Sequence, residues 1–294
     1  MRSVHVFFAA VAAAGMMFGA SAGDAVPRDM KLFLCAGQSN MAGRGSLAEL
    51  TDAEKAPVKN VWFLDAKGAW QPAVAPMHAE DFGGRQEKFG ECVSLAFFFA
   101  REYAKAHPDE VVGMVPCAVG GTSISHWTGP SKNHPEGMDC YAYAAKRIEI
   151  AKANGTFVGI LWHQGESDSA TKGPKENGRR TWKVKYDAKK YRSSFVKVME
   201  AFRKVCGDTT GYLPVVVAGE LGPFTGGAAE YNAALGDVVK SVHNSTFASS
   251  AGTTGQRDEL HFTTEDCRTM GRRYFEAYER QSDPKVQAGV KSSF

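Results

Sequence analysis

Long runs of like charge are missing from this 294-residue sequence, and so are internal repeats and low-complexity segments. Basic and acidic residues are interspersed and nearly balanced, giving a formal net charge of +3. Proteins that bind nucleic acid usually concentrate basic residues on one surface, so this pattern gives no sign of a nucleic-acid partner. The proportions of apolar and charged residues are those of a globular protein, which excludes collagen-like and disordered chains.

Hydrophobic runs long enough to span a membrane are also lacking beyond the first 22 residues. Those residues combine Arg2 and His5 with an apolar centre from Val6 to Ala14, and they end in Ala-Ser-Ala. This order is typical of a secretory signal that is cleaved after Ala22. We therefore expect a secreted or periplasmic protein with no membrane segment after cleavage, in which residues 23–294 form a single domain.

Cysteine and histidine spacings typical of metal sites do not occur. The sequence has neither a Cys-x-x-Cys pair nor two histidines four residues apart, so we expect no structural zinc. All six cysteines follow the predicted signal, and in an exported protein some of them could pair. Cys35 and Cys117 lie in apolar runs, where a cysteine more often acts as a small buried hydrophobe. The sequence does not choose among the pairings that six cysteines allow.

Short apolar segments alternate with segments of helical periodicity along the chain. We predict strands at 32–36, 61–64, 111–115, 157–162 and 213–218, and helices at 92–106, 138–153, 191–205, 226–242 and after Thr263. Residues 65–90, 122–136 and 168–180 are polar and rich in glycine or proline, so they are predicted to be loops. Strands that alternate with helices predict one α/β domain with a parallel sheet and helices on both faces, followed by a weakly structured tail after about residue 282.

The chain is organised around residues 31–45. An apolar run from Leu32 to Ala36 predicts a short buried strand, and Gly-Gln-Ser-Asn follows it directly. Small residues at a strand end allow a sharp turn that holds the Ser39 hydroxyl clear of the sheet. Open α/β sheets place their reactive groups there, outside the carboxyl ends of the strands. Gly-Gln-Ser-Asn is also ordinary turn chemistry, so this stretch alone does not identify a nucleophile.

Three further polar clusters follow predicted strands or lie near the end of the chain. They are Gly120-Gly121, then Gln164 with Glu166, and finally Asp258 with His261. Serine becomes a good nucleophile when a base takes its proton and a third group orients that base. His261 is the candidate base and Asp258, three residues earlier, its candidate partner.

Donors to the oxyanion that forms during attack are predicted from the same clusters. The backbone amides of Ser39 and Gly121 and the side-chain amide of Gln164 are of the required kind. Each cluster also has an ordinary structural explanation as a turn, a solvated loop or a helix start. We expect Trp127 and Trp162 to be packing residues, because this role is more common for tryptophan than that of a platform on which a sugar ring stacks.

Together these clusters resemble the SGNH (GDSL-like) hydrolases. The blocks that carry the resemblance are Gly-Gln-Ser-Asn-Met at 37–41, Val-Gly-Gly-Thr-Ser-Ile at 119–124, Trp-His-Gln-Gly-Glu-Ser-Asp at 162–168 and Asp-Glu-Leu-His-Phe at 258–262. More narrowly, the sequence resembles the sialate O-acetylesterase and acetylxylan esterase branch, carbohydrate esterase family 6. The resemblance implies a flavodoxin-like αβα sandwich with a central parallel sheet, and a serine esterase that needs no metal or other cofactor and removes acetyl groups from sugars.

By matching motif, the resemblance implies that Ser39 is the nucleophile, His261 the base and Asp258 its partner. Where the broader superfamily has an asparagine donor followed by an aspartate, this chain has Gln164 followed by Glu166, as this branch does. Glu166 is therefore an alternative or additional partner for His261.

The leading functional hypothesis is an exported carbohydrate acetylesterase whose partner is an acetylated polysaccharide or oligosaccharide. Acetylated xylan is favoured because the chain is compact and holds one domain. The alternatives are a sialate O-acetylesterase and a carbohydrate-binding protein on this fold without turnover. A phospholipid or thioester hydrolase would need an apolar trench, which the polar loops do not predict.

Overall fold

The computed structural model describes residues 25–78, 92–129, 139–177, 179–208 and 212–286. The predicted signal segment, parts of the predicted loops at 65–90 and 122–136, and the last eight residues of the predicted tail lie outside these ranges. Among the helices of the described residues, none is both long enough and apolar enough to cross a membrane.

Strands and helices alternate through most of the described chain. The strands are Met30–Gly37 (β1), Gly45–Ser46 (β2), Val61–Leu64 (β3), Trp70–Pro72 (β4), Cys92–Val93 (β5), Val112–Pro116 (β6), Gly155–His163 (β7), Ala170–Glu176 (β8), Arg179–Val184 (β9), Val215–Gly219 (β10) and Ser245–Ala248 (β11). The helices are Ser39–Ala42 (α1), Asp52–Lys55 (α2), Leu95–Ala106 (α3), Cys140–Ala151 (α4), Glu166–Ser169 (α5), Ala188–Cys206 (α6), Ala228–Val239 (α7) and Thr264–Ser282 (α8).

The main sheet has seven strands in the order β11-β10-β7-β1-β6-β3-β4. Its neighbours pair in parallel, except that the edge strand β4 runs antiparallel to β3. Strand β1 lies between β6 and β7, so the chain leaves it toward one side of the sheet and later returns to build the other. Such a reversal of strand order opens a crevice at the carboxyl ends of the strands. The predicted parallel α/β architecture is confirmed.

Helices cover both faces of this sheet. Buried residues of α4, α6 and α7 pack on one face, and buried residues of α3 and α8 pack on the other. Strand β1 is almost wholly buried because it is covered on both sides, which explains its continuous apolar sequence. Trp127 and Trp162 are fully buried in the first of these cores, as expected for packing residues.

Several elements differ from the sequence-based expectation. Strands β8 and β9 pair as an antiparallel hairpin, where a polar loop was predicted for 168–180. The edge strands β4 and β11 were also not predicted, because they are short. All six cysteines lie in the described ranges and none of them forms a disulfide, and Cys35 and Cys117 are buried as expected. The capping box that opens α8, formed by Thr263 and Asp266, agrees with the sequence.

Candidate active site

The predicted polar clusters meet at the carboxyl edge of the main sheet. Ser39 opens the short helix α1 two residues after β1, and the Gly120-Gly121 pair follows β6. Glu166 opens α5 after β7, and His261 lies in the loop between β11 and α8. These residues line one cavity of about 630 Å³. The chain topology therefore brings together residues that lie more than 200 positions apart in the sequence.

Ser39, His261 and Asp258 form a continuous chain of hydrogen bonds. His261 Nε2 lies 3.0 Å from Ser39 Oγ, and His261 Nδ1 lies 2.5 Å from Asp258 Oδ2. The other carboxylate oxygen of Asp258 accepts the backbone N–H groups of Leu260 and His261 at 3.1 and 3.0 Å. Asp258 thus holds its own loop and the histidine ring in one orientation.

The charge of Asp258 fixes the tautomer of His261. Burial alone raises the pKa of this carboxyl, but hydrogen bonds and the charge of His261 outweigh burial and hold the pKa of Asp258 well below its usual range. An ionised carboxylate only accepts hydrogen bonds, so His261 Nδ1 carries the proton. His261 Nε2 is then the acceptor for the Ser39 hydroxyl proton, which is the arrangement that a general base requires.

Asn40 joins the serine turn to the histidine loop. Its Oδ1 accepts the backbone N–H of Phe262 at 3.0 Å, and its Nδ2 donates to the Leu260 carbonyl at 3.2 Å. Nδ2 also donates to Glu166 Oε1 at 2.6 Å. The side chain next to the candidate nucleophile therefore fixes the distance between Ser39 and His261.

Two backbone amides are available as oxyanion donors. Ser39 and Gly121 both line the cavity. Within the described ranges of the chain, neither amide N–H meets an acceptor. Gly121 has a φ of +76°, which glycine adopts without strain, and this turn leaves its amide at the cavity wall.

The structure does not place Gln164 with these donors, in contrast to the prediction. The Gln164 side chain is fully buried, and Gln164 is not among the residues that line the cavity. Its Nε2 donates to Asp168 Oδ2 at 2.6 Å, and it lies 3.1 Å from the Thr122 carbonyl and 3.2 Å from Gln38 Oε1. These three acceptors occupy both N–H bonds of the Gln164 amide, which leaves neither bond for an oxyanion. Gln164 instead stabilises the wall of the cavity from the buried side.

Glu166 was considered as an alternative or additional partner of His261, but the structure gives Glu166 other contacts. Both ring nitrogens of His261 are engaged by Ser39 and Asp258, while Glu166 Oε1 accepts from Asn40. Glu166 Oε2 is buried and has no hydrogen-bond partner among the described residues. Burial, partly opposed by hydrogen bonds, raises the pKa of Glu166 to about 7.

The neighbour of Glu166 on β7 offers it no positive charge. Burial lowers the pKa of His163 to about 3, so its ring is neutral. Tyr274 donates its hydroxyl proton to the Trp162 carbonyl at 2.8 Å, and it therefore accepts from His163 Nδ1 at 3.0 Å. His163 Nε2, 3.7 Å from Glu166 Oε1, is left with a lone pair. This environment favours the protonated, neutral form of Glu166.

The raised pKa of Glu166 predicts a pH-dependent stability. A carboxyl whose pKa is about 7 when folded and about 4.5 when unfolded binds more protons in the folded state, so the free energy of unfolding falls as pH rises through that interval. Between pH 5 and pH 8 the loss is about 2 to 3 kcal/mol. Glu166→Gln should remove this loss of unfolding free energy. Denaturant unfolding at pH 5 and at pH 8 would measure the difference. Glu149→Gln, at an exposed helix position, is the control, and parallel pH profiles for wild type and Glu166→Gln would contradict the prediction.

The β8–β9 hairpin forms one wall of the cavity. Lys172 and Trp182 pair across the hairpin, and both line the cavity. Trp182 fits against Gly226, where a Cβ atom would come within 2.2 Å of its ring. Trp182 is not among the site residues predicted from the sequence. The alternation of apolar and polar residues from Thr181 to Val184 is the signal that could have revealed it.

Basic side chains dominate the charged lining of the cavity. Arg44, Lys172 and Lys185 line it, and Glu166 is the acidic lining residue among those described. Because burial favours the neutral form of Glu166, the cavity presents mainly positive charge. No group of three or more His, Cys, Asp or Glu residues in the described part of the chain is placed to hold a metal ion.

A parallel αβα sandwich with a serine after its first strand and an Asp-x-x-His loop near its last helix defines an SGNH-type hydrolase. The family model "Carbohydrate esterase, sialic acid-specific acetylesterase" matches residues 29–280. The chain belongs to this carbohydrate esterase family.

Several known proteins are similar to this chain. A probable carbohydrate esterase of Arabidopsis thaliana is 33% identical over 150 residues, a match that covers 47% of this chain and 54% of the relative. The chain thus spans about half the length of that relative. An Arabidopsis thaliana crystal structure superposes with a TM-score of 0.68 at 25% identity, covering 86% of this chain and 98% of the other. The structure of NanS superposes with a TM-score of 0.61 at 18% identity, covering 87% and 98%, which shows a shared fold.

Proposed function

We propose that this protein is a carbohydrate O-acetylesterase in which Ser39, His261 and Asp258 form the catalytic triad. The observation that carries the proposal is the hydrogen-bonded chain from Ser39 Oγ through the His261 ring to Asp258, at the wall of an open cavity. Membership of the carbohydrate esterase family supports an acetylated sugar as the substrate.

The geometry supports a two-step acyl transfer. Ser39 Oγ attacks the acetyl carbonyl carbon while its proton passes to His261 Nε2. The amide N–H groups of Ser39 and Gly121 donate to the oxyanion of the tetrahedral intermediate. The bond to the sugar oxygen then breaks, and His261 returns the proton to that oxygen. Water, deprotonated by His261, releases acetate from the acetyl-enzyme and restores Ser39.

The described site favours catalysis over the other functions considered. A binding module without turnover has no use for a serine that is hydrogen-bonded to an oriented base. A phospholipid or thioester hydrolase needs an apolar trench, whereas lysines and an arginine line this cavity. Export from the cytoplasm is part of the proposal, and it rests on the signal-like pattern of the first 22 residues.

The proposal has two candidate substrates, both of them acetylated sugars. Acetylated xylan is the substrate that the sequence-based hypothesis favours. The positive cavity lining favours an acidic sugar, such as an O-acetylated sialic acid, because Lys172 and Lys185 would attract its carboxylate. The second candidate therefore has a specific feature of the site in its favour.

Acetate release from acetylated xylan and from an O-acetylated sialic acid would decide between them. If the sugar is acidic, Lys172→Gln should raise the KM for the sialic acid ester several-fold and leave that for a small neutral acetate ester unchanged. Lys175→Gln, on the same hairpin but outside the cavity lining, is the matched control. Preference for xylan together with no effect of Lys172→Gln would favour the neutral polymer. No acetate from any of the three esters would refute the proposed function.

A further inference from the structure

A second cavity of about 380 Å³ adjoins the candidate active site. Lys185 lines both cavities, so the two share a side chain. They also share a supporting wall, because the Gln164 amide nitrogen lies within hydrogen-bond distance of Gln38 Oε1 on one side and Asp168 Oδ2 on the other. Gln38 lines the first cavity and Asp168 the second. A ligand that extends from the first cavity past Lys185 would enter the second.

The lining of the second cavity is rich in hydroxyl groups and mixed in charge. Ser123, Ser125 and Ser194 contribute hydroxyls. Lysines and aspartates both occur around it, so no single sign of charge dominates. Asp168 Oδ2 accepts from Gln164 and from the Ile124 backbone, and the other carboxylate oxygen has no partner among the described residues. Donors and acceptors side by side match the hydroxyl groups of a sugar, each of which donates and accepts.

Tyr186 provides an independent sign of a missing partner. Its side chain lines the second cavity, and its hydroxyl is shielded from water without a hydrogen-bond partner among the described residues. The Tyr186 ring packs against the rings of Tyr191 and Tyr231, with centroid distances of 5.7 and 5.4 Å. Packing alone would be served by phenylalanine, because a shielded hydroxyl without a partner costs stability.

We propose that the second cavity binds a further sugar residue of the substrate, the one linked to the acetylated sugar. This inference rests on the proposed function and extends it: the enzyme would act on acetyl groups carried by an oligosaccharide or polysaccharide chain. The Asp168 carboxylate, the serine hydroxyls and the Tyr186 hydroxyl would bind the second sugar, and Lys185 would contact both sugars.

The test compares an O-acetylated methyl glycoside with an O-acetylated trisaccharide of the same sugar. Wild type should hydrolyse the trisaccharide with roughly tenfold higher kcat/KM, the gain expected from one or two added hydrogen bonds. Ser194→Trp should abolish that gain by filling the second cavity, while activity on the methyl glycoside stays unchanged. Ser193→Trp, at the next and exposed position of α6, lines neither cavity and should keep the gain.

Tyr186→Phe is a second test that does not depend on the folding of Ser194→Trp, because it removes only the Tyr186 hydroxyl. It should raise the KM for the trisaccharide, leave that for the methyl glycoside unchanged and not lower the free energy of unfolding. Equal kcat/KM for both substrates in wild type would overturn the inference while the proposed function stands. A trisaccharide gain retained in both variants would overturn it too. Absence of acetate release from both substrates would instead refute the proposed function.

Discussion

Ser39→Ala is expected to lower kcat for acetate release by roughly 10⁴- to 10⁶-fold. The substitution removes the oxygen that lies 3.0 Å from His261 Nε2 and that carries the acetyl group in the proposed mechanism. The double variant Ser39→Ala/His261→Ala should be about as slow as either single variant, because the members of a triad act as a unit. Steady-state acetate assays of the three variants would measure both effects.

The matched control is Ser167→Ala, which removes a hydroxyl from a residue that lines the same cavity. It should retain most of the activity. Thermal unfolding should show that Ser39→Ala remains folded, since the substitution deletes one oxygen atom from the site. Near-normal turnover by folded Ser39→Ala would rule out Ser39 as the nucleophile.

Asp258→Asn is expected to lower kcat by about 10⁴-fold while the fold is retained. The asparagine carbonyl can still accept the backbone N–H groups of Leu260 and His261, but its NH₂ group then faces His261 Nδ1. A donor at that position favours the tautomer with the proton on Nε2, which can no longer accept from Ser39. The measurement is kcat at several pH values.

Glu166→Gln gives the comparison that separates the two acidic residues. A glutamine keeps an oxygen to accept from Asn40, so kcat should fall far less than in Asp258→Asn. The opposite result, with Asp258→Asn active and Glu166→Gln inactive, would transfer the role of the histidine partner to Glu166.

Short motifs allowed much of the fold and the residues of the site to be predicted. Buried strands of a parallel sheet are continuous apolar runs, so β1, β6, β7 and β10 were recognisable. The positions of Ser39 and His261 followed from the rule that parallel strands end at a common edge. The helix that begins after Thr263 was recognisable from its capping residues.

The remaining features depend on contacts that single motifs do not encode. Whether Gln164 faces the cavity or the wall beneath it depends on Asp168 and on the Tyr191 hydroxyl, which donates to the Gln164 backbone and side-chain oxygens. The β8–β9 hairpin is exposed and rich in lysine, so its burial pattern gives little periodicity. Trp182 belongs to the site because the hairpin packs over Gly226, a contact between residues 44 positions apart in the sequence.

The position of β1 also has a consequence for the order of events in refolding. Its partners β6 and β7 lie far along the chain, and the Ser39–His261 and Asn40–Phe262 bonds each span 222 residues. Contacts of such long range form slowly, because the intervening chain must first lose its freedom. Acetate-releasing activity should therefore return after far-ultraviolet circular dichroism has recovered. The recovery of acetate release would therefore report when the carboxy-terminal segment docks onto the rest of the folded chain.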